Sequence, residues 1–285
     1  MAIIHHSFYE DKVLYFDHAT NDSPAPEQYS PHSHTLCELI FFKSGSISYS
    51  VDGNVYRLSK NSLVISRPFA VHSMIVDGLE SYERYDILFD LSSLPYDILA
   101  RIPDGMNVLS FEGKNSVAGL FDKLDYYCQK LADPEKGRIL SHIIEEILIN
   151  AAIEAGESVV PVNRTNEVVS RAIDYIEEHL TTLTGIDELC RELYITRSHL
   201  HHLFIQHLNI SPKRFITSKR LAMAQREILS GGRPTEVCTR CGFSDYSAFW
   251  RAYTAYFGRN PSTKRHPESE TVSYDTSPRF SPKDE

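Results

Sequence analysis

The 285-residue chain contains no apolar run approaching the roughly 18 residues that a membrane span needs. Its first residues, Met1 to His6, lack the basic start and apolar stretch of an export signal. Cysteine is scarce and odd in number: Cys37, Cys128, Cys190, Cys238 and Cys241 are scattered, which argues against a disulfide framework and for reduced thiols in a cytoplasmic protein. An overall positive charge is also missing. The net charge of −9 would speak against a polyanion partner if it were evenly spread. It is not: residues 1–164 carry −10, residues 165–265 carry +4 and residues 266–285 carry −3. A basic stretch within an acidic chain is a hint of nucleic-acid contact, although +4 also suits an ordinary domain.

At roughly 100–200 residues per domain, the length suggests two domains, each able to bury a core. Residues 8–91 are strand-like. Ser46–Val51 alternates and Val55–Leu58 follows, with Asp52-Gly53 between them as a hairpin turn whose two positions want positive φ. Leu36–Lys43, Ser62–Ser66, His72–Val76 and Tyr82–Asp90 are further short strands, as in a sandwich or small barrel. Residues 116–156 change to helical spacing. Ile139, Leu140, Ile143, Ile144, Ile147, Leu148 and Ala151 form a stripe wide enough for burial on the strands or for a subunit interface. The predicted division is a barrel-like domain over 1–155, a linker over 156–166, a helical domain over 167–265 and a disordered tail over 266–285.

The helical region repeats itself. Ile186–Leu193 aligns with Pro234–Cys241 at an offset of 48, and beyond the turn the offset becomes 49, so that Leu200, Phe204, Leu208 and Pro212 meet Phe249, Tyr253, Phe257 and Pro261. Each copy is a short helix, a tight turn and a longer helix with a polar outer face, the helix-turn-helix plan. Thr184 with Asp187 suggests a capping box for the first short helix. Thr196 caps the first long helix, and Ser244 or Asp245 the second. The outward positions Arg197, Ser198, His201 and His202, then Tyr246, Ser247, Trp250 and Arg251, offer side chains to a major groove about 12 Å wide. Between the copies, Ser211-Pro212 starts a long helix that Gly231-Gly232 ends. Cys238-x-x-Cys241 has the spacing of a metal or redox pair, but no second pair lies nearby and position 238 repeats Cys190, so core packing is the expectation.

Residues 168–265 resemble the AraC/XylS family of bacterial regulators. The matching stretches include Ala172–His179, Leu200–Phe204, Ser211-Pro212, Arg220–Ala224, Gly242–Ser247, Phe249–Arg251 and Asn260-Pro261. Cys190 and Cys238 stand where that family usually has alanine, Asn209 replaces a common glycine, and Lys264 sits where an aromatic usually precedes Arg265. The resemblance implies base contacts from the eight outward residues just named. It also implies double-stranded promoter DNA and RNA polymerase as partners, and a homodimer.

In the first half, His32-x-His34-x-x-x-Glu38, then Gly45, Pro68 and His72, resembles the cupin-type sensor domain that precedes such DNA-binding units. In metal cupins this pattern gives three imidazoles and a carboxylate to one ion, and that donor set suits Fe, Mn, Ni or Zn. Positions 32, 34 and 38 share one face if the segment is a strand. Three readings stay open: a divalent metal at His32, His34, Glu38 and His72, the same residues lining a pocket for a small polar effector, or histidines that only hydrogen-bond within the barrel. The effector reading is carried forward, with a sugar or related carbon source as the commonest choice among look-alikes and no cofactor required. The resulting fold class is multi-domain α+β, a cupin-like β-barrel with trailing helices followed by an all-α tandem helix-turn-helix. The functional expectation is an effector-responsive transcription regulator without enzymatic activity; the alternative is a metal-dependent cupin enzyme with an accessory helical domain.

Overall fold

The computed structural model describes residues 3–11, 14–24, 29, 31–94, 98–155, 160, 162–164 and 166–262. The expected 266–285 tail, Lys264-Arg265 and most of the 156–166 linker lie outside the described residues.

Among the described residues, ten strands form two antiparallel sheets. The six-stranded sheet has the order β1 (Ile3–Glu10), β2 (Leu14–Asn21), β8 (Tyr82–Phe89), β3 (Cys37–Ser44), β6 (Ser62–Ser66) and β9 (Val108–Ser110). The four-stranded sheet runs β10 (Val162–Arg164), β5 (Asn54–Arg57), β4 (Ile47–Val51) and β7 (His72–Val76). The hairpin read from Asp52-Gly53 is present, with both residues at positive φ (+48° and +77°). Four strands, β1, β2, β9 and β10, were not among the runs read from the sequence. Residues 162–164 do not serve as a plain linker but pair with β5. β1 escapes notice in the sequence because most of it is exposed, so it has no buried alternation to read.

Strand β3 shows how the layers arise. It is buried on both faces, and its side chains alternate with period two. Cys37, Leu39 and Phe41 enter a core shared with α1 (Asn115–Lys130) and α2 (Glu135–Glu154). Ile40 and Phe42 face the other way, into the space between the sheets, with Tyr49, Met74 and Tyr82. Glu38 belongs to that inner face. The stripe Leu140, Ile143, Ile144, Ile147, Leu148 and Ala151 is accounted for by burial against the six-stranded sheet within this chain.

Among the described residues from 166 onward the elements are all helices: α3 (Glu167–Glu178), α4 (Ile186–Glu192), α5 (Arg197–Leu208), α6 (Pro212–Leu229), α7 (Pro234–Arg240) and α8 (Tyr246–Phe257). Helices α3, α4 and α5 surround Leu189, Leu200, Phe204 and Phe215, and α6, α7 and α8 surround Leu221, Val237, Phe249 and Tyr253. Thr196 and Asp245 cap α5 and α8 as expected. Thr184 does not pair with Asp187. Its backbone N–H and its hydroxyl both donate to Glu188 Oε2 (2.9 and 2.7 Å), while Gly185 occupies the cap position, so the acid that answers Thr184 lies one residue further along. All five cysteines are reduced and buried, and Cys238 and Cys241 pack in the second helical core. No helix among the described residues is long and apolar enough to cross a membrane.

Candidate functional site: paired reading helices and a histidine cluster beneath them

The two reading helices are built alike. In each copy the turn before the long helix needs one left-handed residue, and the two copies solve this differently. Gly242 sits at φ +80°, pressed so closely on Thr181 that a Cβ would lie 2.7 Å from its carbonyl oxygen. At the matching position of the first copy stands Tyr194, at φ +56° and 92% exposed. After the long helices, Asn209 (φ +53°) and Gly258 (φ +69°) take the same left-handed cap, so Asn209 does the work of the glycine it replaces. Helix α6 joins the copies and is fixed at several points. Arg220 donates to the carbonyls of Leu180 (2.8 Å) and Leu183 (2.6 Å), and Arg240 of α7 donates to Glu227. Its 18 residues span about 27 Å at 1.5 Å per residue.

Of the expected reading residues, Ser198, His201, His202, Ser247, Trp250 and Arg251 are exposed, and Tyr246 is half-buried against Phe249. Arg197 is exposed too, but its guanidinium is held by both carboxylate oxygens of Asp187, which fixes it within the first unit. Arg197, Ser198 and His201 do not face open solvent alone. They line a cavity of about 990 Å³ whose opposite wall is the barrel segment Ser33–Thr35 with Phe69.

His34 therefore borders this cavity, and behind it lies the histidine cluster. The structure brings His32, His34, His72 and Glu38 together, although not as adjacent positions of one strand. His32 makes an isolated bridge with His72, through hydrogen bonds of 3.0 and 2.9 Å, and His34 lies in the connection before β3. The shared-face argument for 32, 34 and 38 is thus replaced by a crossing of chain segments. The ring centroids of His32, His34 and His72 lie 4.5–5.9 Å apart. Glu38 Oε2 lies 2.9 Å from His72 Nε2 and 3.9 Å from His34 Nε2, and it accepts a hydrogen bond from the Tyr49 hydroxyl at 3.1 Å. His72 and Glu38 are 1% and 7% exposed. Burial, with neighbouring His72, pulls His34 down to about 4, so that it stays neutral at physiological pH. Burial disfavours charge on His72 and Glu38 as well, but each stabilises the other's charged form: His72 is raised and Glu38 is held well below the usual carboxylate range.

The segments that carry these imidazoles also carry the contacts with the helical half. The Pro31 carbonyl accepts from Asn209 Nδ2 at 3.2 Å, and Val71 lies in the first helical core. Phe69, whose N–H donates to the His34 carbonyl at 2.8 Å, packs on Tyr256 and Phe257 of α8 with centroids 5.5 and 5.1 Å away. Asp52 is ion-paired with Lys219 of α6, which lies 3.5 Å from Glu177. Sequence reasoning found none of these partners. Asp52 shows only its turn role, and Lys219 is one cation among several on its helix.

A two-sheet barrel that carries a buried polar cluster and is joined to paired helix-turn-helix units defines a two-domain protein in which a ligand-binding module is coupled to a DNA-binding one. Residues 15–158 match the family described as AraC-like ligand binding domain, and residues 189–266 match the one described as Helix-turn-helix domain. The chain belongs to the AraC family. Its relatives include the raffinose operon transcriptional regulatory protein RafR of Pediococcus pentosaceus, 30% identical over 103 residues, or 36% of this chain and 37% of that protein. The lactose operon transcription activator of Staphylococcus xylosus is 28% identical over 38% of this chain and 39% of its own length. The chain thus spans little more than a third of these two curated relatives. It is also similar to the HTH-type transcriptional activator RhaS of Escherichia fergusonii, 22% identical over 81% of this chain and 85% of that protein.

Proposed function

We propose that the chain is a sequence-specific DNA-binding transcription regulator whose grip on promoter DNA is set by a small effector. The observation that carries this reading is the pair of exposed reading helices, α5 and α8, set in register by a clamped α6 of about 27 Å. That length is comparable to one turn of DNA, so the two helices can enter successive stretches of major groove on one face of the duplex. His201, His202, Ser247 and Arg251 supply the base-edge contacts, and Arg197, Ser198, Tyr246 and Trp250 flank them. The protein acts in the cytoplasm, as a homodimer, and works through RNA polymerase; it is not an enzyme, because catalysis has no use for two registered reading units.

The effector sits in the cavity between the barrel and the first reading helix, where it meets His34 and the His32, Glu38 and His72 cluster behind it. A space of about 990 Å³ suits a mono- or oligosaccharide, and relatives named for raffinose and lactose operons favour that class. A duplex does not fit in that cavity. In the docked arrangement, therefore, Arg197, Ser198 and His201 are shielded, and the effector acts by shifting the balance between docked and released helical units.

Binding to bulk DNA and to the chain's own upstream promoter DNA, measured across a salt series, tests the reading. A preference of about 10³ or more for one site is expected. A preference below about tenfold at every salt concentration defeats it. A thermal-shift screen of sugars tests the effector class, because a ligand specific to the native state raises its stability by mass action.

A further inference from the structure

We propose that the cavity of about 990 Å³ between the barrel and the first reading helix takes a phosphate-bearing small molecule, a sugar phosphate rather than a neutral sugar, and that this ligand lowers affinity for promoter DNA. The inference rests on the reading of that cavity as the effector site and names the chemistry of what enters it.

The charge of the lining points to an anion. Among the described residues that line the cavity, none is an aspartate or a glutamate, although the whole chain has a net charge of −9. The basic lining is Arg197, His201, Lys213 and Arg214 from the helical half and His34 from the barrel. Asp187 balances Arg197 from outside the lining. Lys213 is exposed and enters no ion pair among the described residues. Burial pushes the Tyr256 hydroxyl up to about 12, and Arg214 is the neighbour that works against that shift, so its positive field reaches into the cavity. A cleft lined by one sign of charge concentrates the opposite sign.

A second cavity, of about 760 Å³, lies across the same junction and sets the contrast. Its cations are answered by its own acids: Lys219 by Asp52, and Arg67 and Arg226 by Asp104 at 3.6 and 3.9 Å. The first cavity lines itself with no carboxylate that could answer Lys213, and an anionic ligand brings one negative group to that place. Ser211, Lys213 and Arg214 lie within one turn at the start of α6. Two cations and a hydroxyl suit a phosphate, which carries roughly two negative charges near neutral pH and three acceptor oxygens. The rest of the space is bordered by the rings of Phe69 and Tyr256 and the hydroxyls of Ser33 and Thr35, a mixture of flat apolar and polar groups that fits a sugar.

The direction of regulation follows from the two walls. Ser33, His34 and Thr35 stand on one, and α5 and α6 on the other, so the complete site exists only in the docked arrangement. A ligand that touches both walls favours that arrangement by its extra affinity for it. It also covers Arg197, Ser198 and His201, which the duplex would need.

Calorimetry on the full chain compares glucose and galactose with their 6-phosphates and with inorganic phosphate, at matched ionic strength because salt alone weakens DNA binding. At least one ester should bind at least about tenfold tighter than its parent sugar and than inorganic phosphate, raise the unfolding temperature and weaken binding to promoter DNA in fluorescence anisotropy. Lys213→Gln and Arg214→Gln should each lower affinity for the ester about tenfold, the order of one hydrogen bond to a charged group. Lys60→Gln, in the exposed turn before β6, should not. Circular dichroism confirms the fold of each variant, and if one does not fold the other decides. The proposal is overturned if neutral sugars bind as tightly as their phosphates and lower DNA affinity; the effector reading of the cavity then stands and only the charge falls. It is also overturned if no ester binds, if inorganic phosphate binds as tightly as the esters, if both folded variants bind as the parent does, or if a bound ester raises DNA affinity.

Discussion

Lys219, in the helix that joins the two reading units, is ion-paired with Asp52 at the tip of the β4–β5 hairpin, 167 residues earlier in the chain. Asp52 uses its other carboxylate oxygen to accept the Val71 N–H at 2.9 Å, and Lys219 is only 17% exposed. One aspartate therefore ties together the hairpin turn, the segment leading to His72 and the helical half.

Removing one partner leaves the other buried and unpaired, which for a fully buried pair costs about 3–5 kcal/mol; partial exposure of Lys219 puts the expected loss below that range. Lys219→Met should lower the unfolding temperature and, by loosening the docked arrangement, raise affinity for promoter DNA without effector. Calorimetry and fluorescence anisotropy check the two halves. An unchanged DNA affinity in a destabilised variant would show that docking does not restrain α5.

Arg251 is exposed on α8. Arg251→Ala should cost about 1–3 kcal/mol at specific sites, relax preference at one base position and leave thermal stability unchanged. A uniform loss across all sequences would reassign Arg251 to a phosphate contact.

His18 Nε2 lies 2.9 Å from Glu83 and its Nδ1 lies 2.8 Å from Asp125, so the ring links β2, β8 and α1. Burial works against its charge, but the two carboxylates outweigh it and raise its pKa. The folded pKa exceeds the unfolded value of about 6.5, so the stabilisation is complete below about pH 6.5 and is lost as pH rises through the higher folded value. The gap in unfolding temperature between the parent and His18→Gln should be wider near pH 6 than near pH 9. A gap that does not change with pH would remove the charge from the explanation.

The two left-handed turn residues predict opposite outcomes. Gly242→Ala meets Thr181 and Arg220 at 2.7–3.0 Å as well as an unfavourable φ, and should destabilise by more than the roughly 1 kcal/mol of backbone strain alone. Tyr194→Gly relieves that strain at an open site, which partly or fully offsets the greater freedom of glycine when unfolded. Chemical denaturation of both variants should show a large loss for the first and a change near zero for the second.

Local signals were legible in the sequence, and distant pairings were not. The Asp52-Gly53 turn, β6 and β7 were placed by alternation and turn chemistry, and the tandem units by their repeat. The four members of the histidine cluster were found as residue types, yet their geometry was misassigned, because His32 and His34 are held by a bridge to β7 rather than by a strand of their own. The pairing of Val162–Arg164 with β5 depends on a partner more than a hundred residues away. Phe69 on α8 and Asp52 with Lys219 arise only once both halves are folded, and no spacing along the chain encodes them.

All five native thiols are buried. The chain is therefore a quiet background for thiol-directed probes. Single cysteines introduced at Thr35 and Ser198, which face each other across the cavity, would carry a spin or fluorophore pair. The distance between the labels would follow the barrel and the first reading helix as they part.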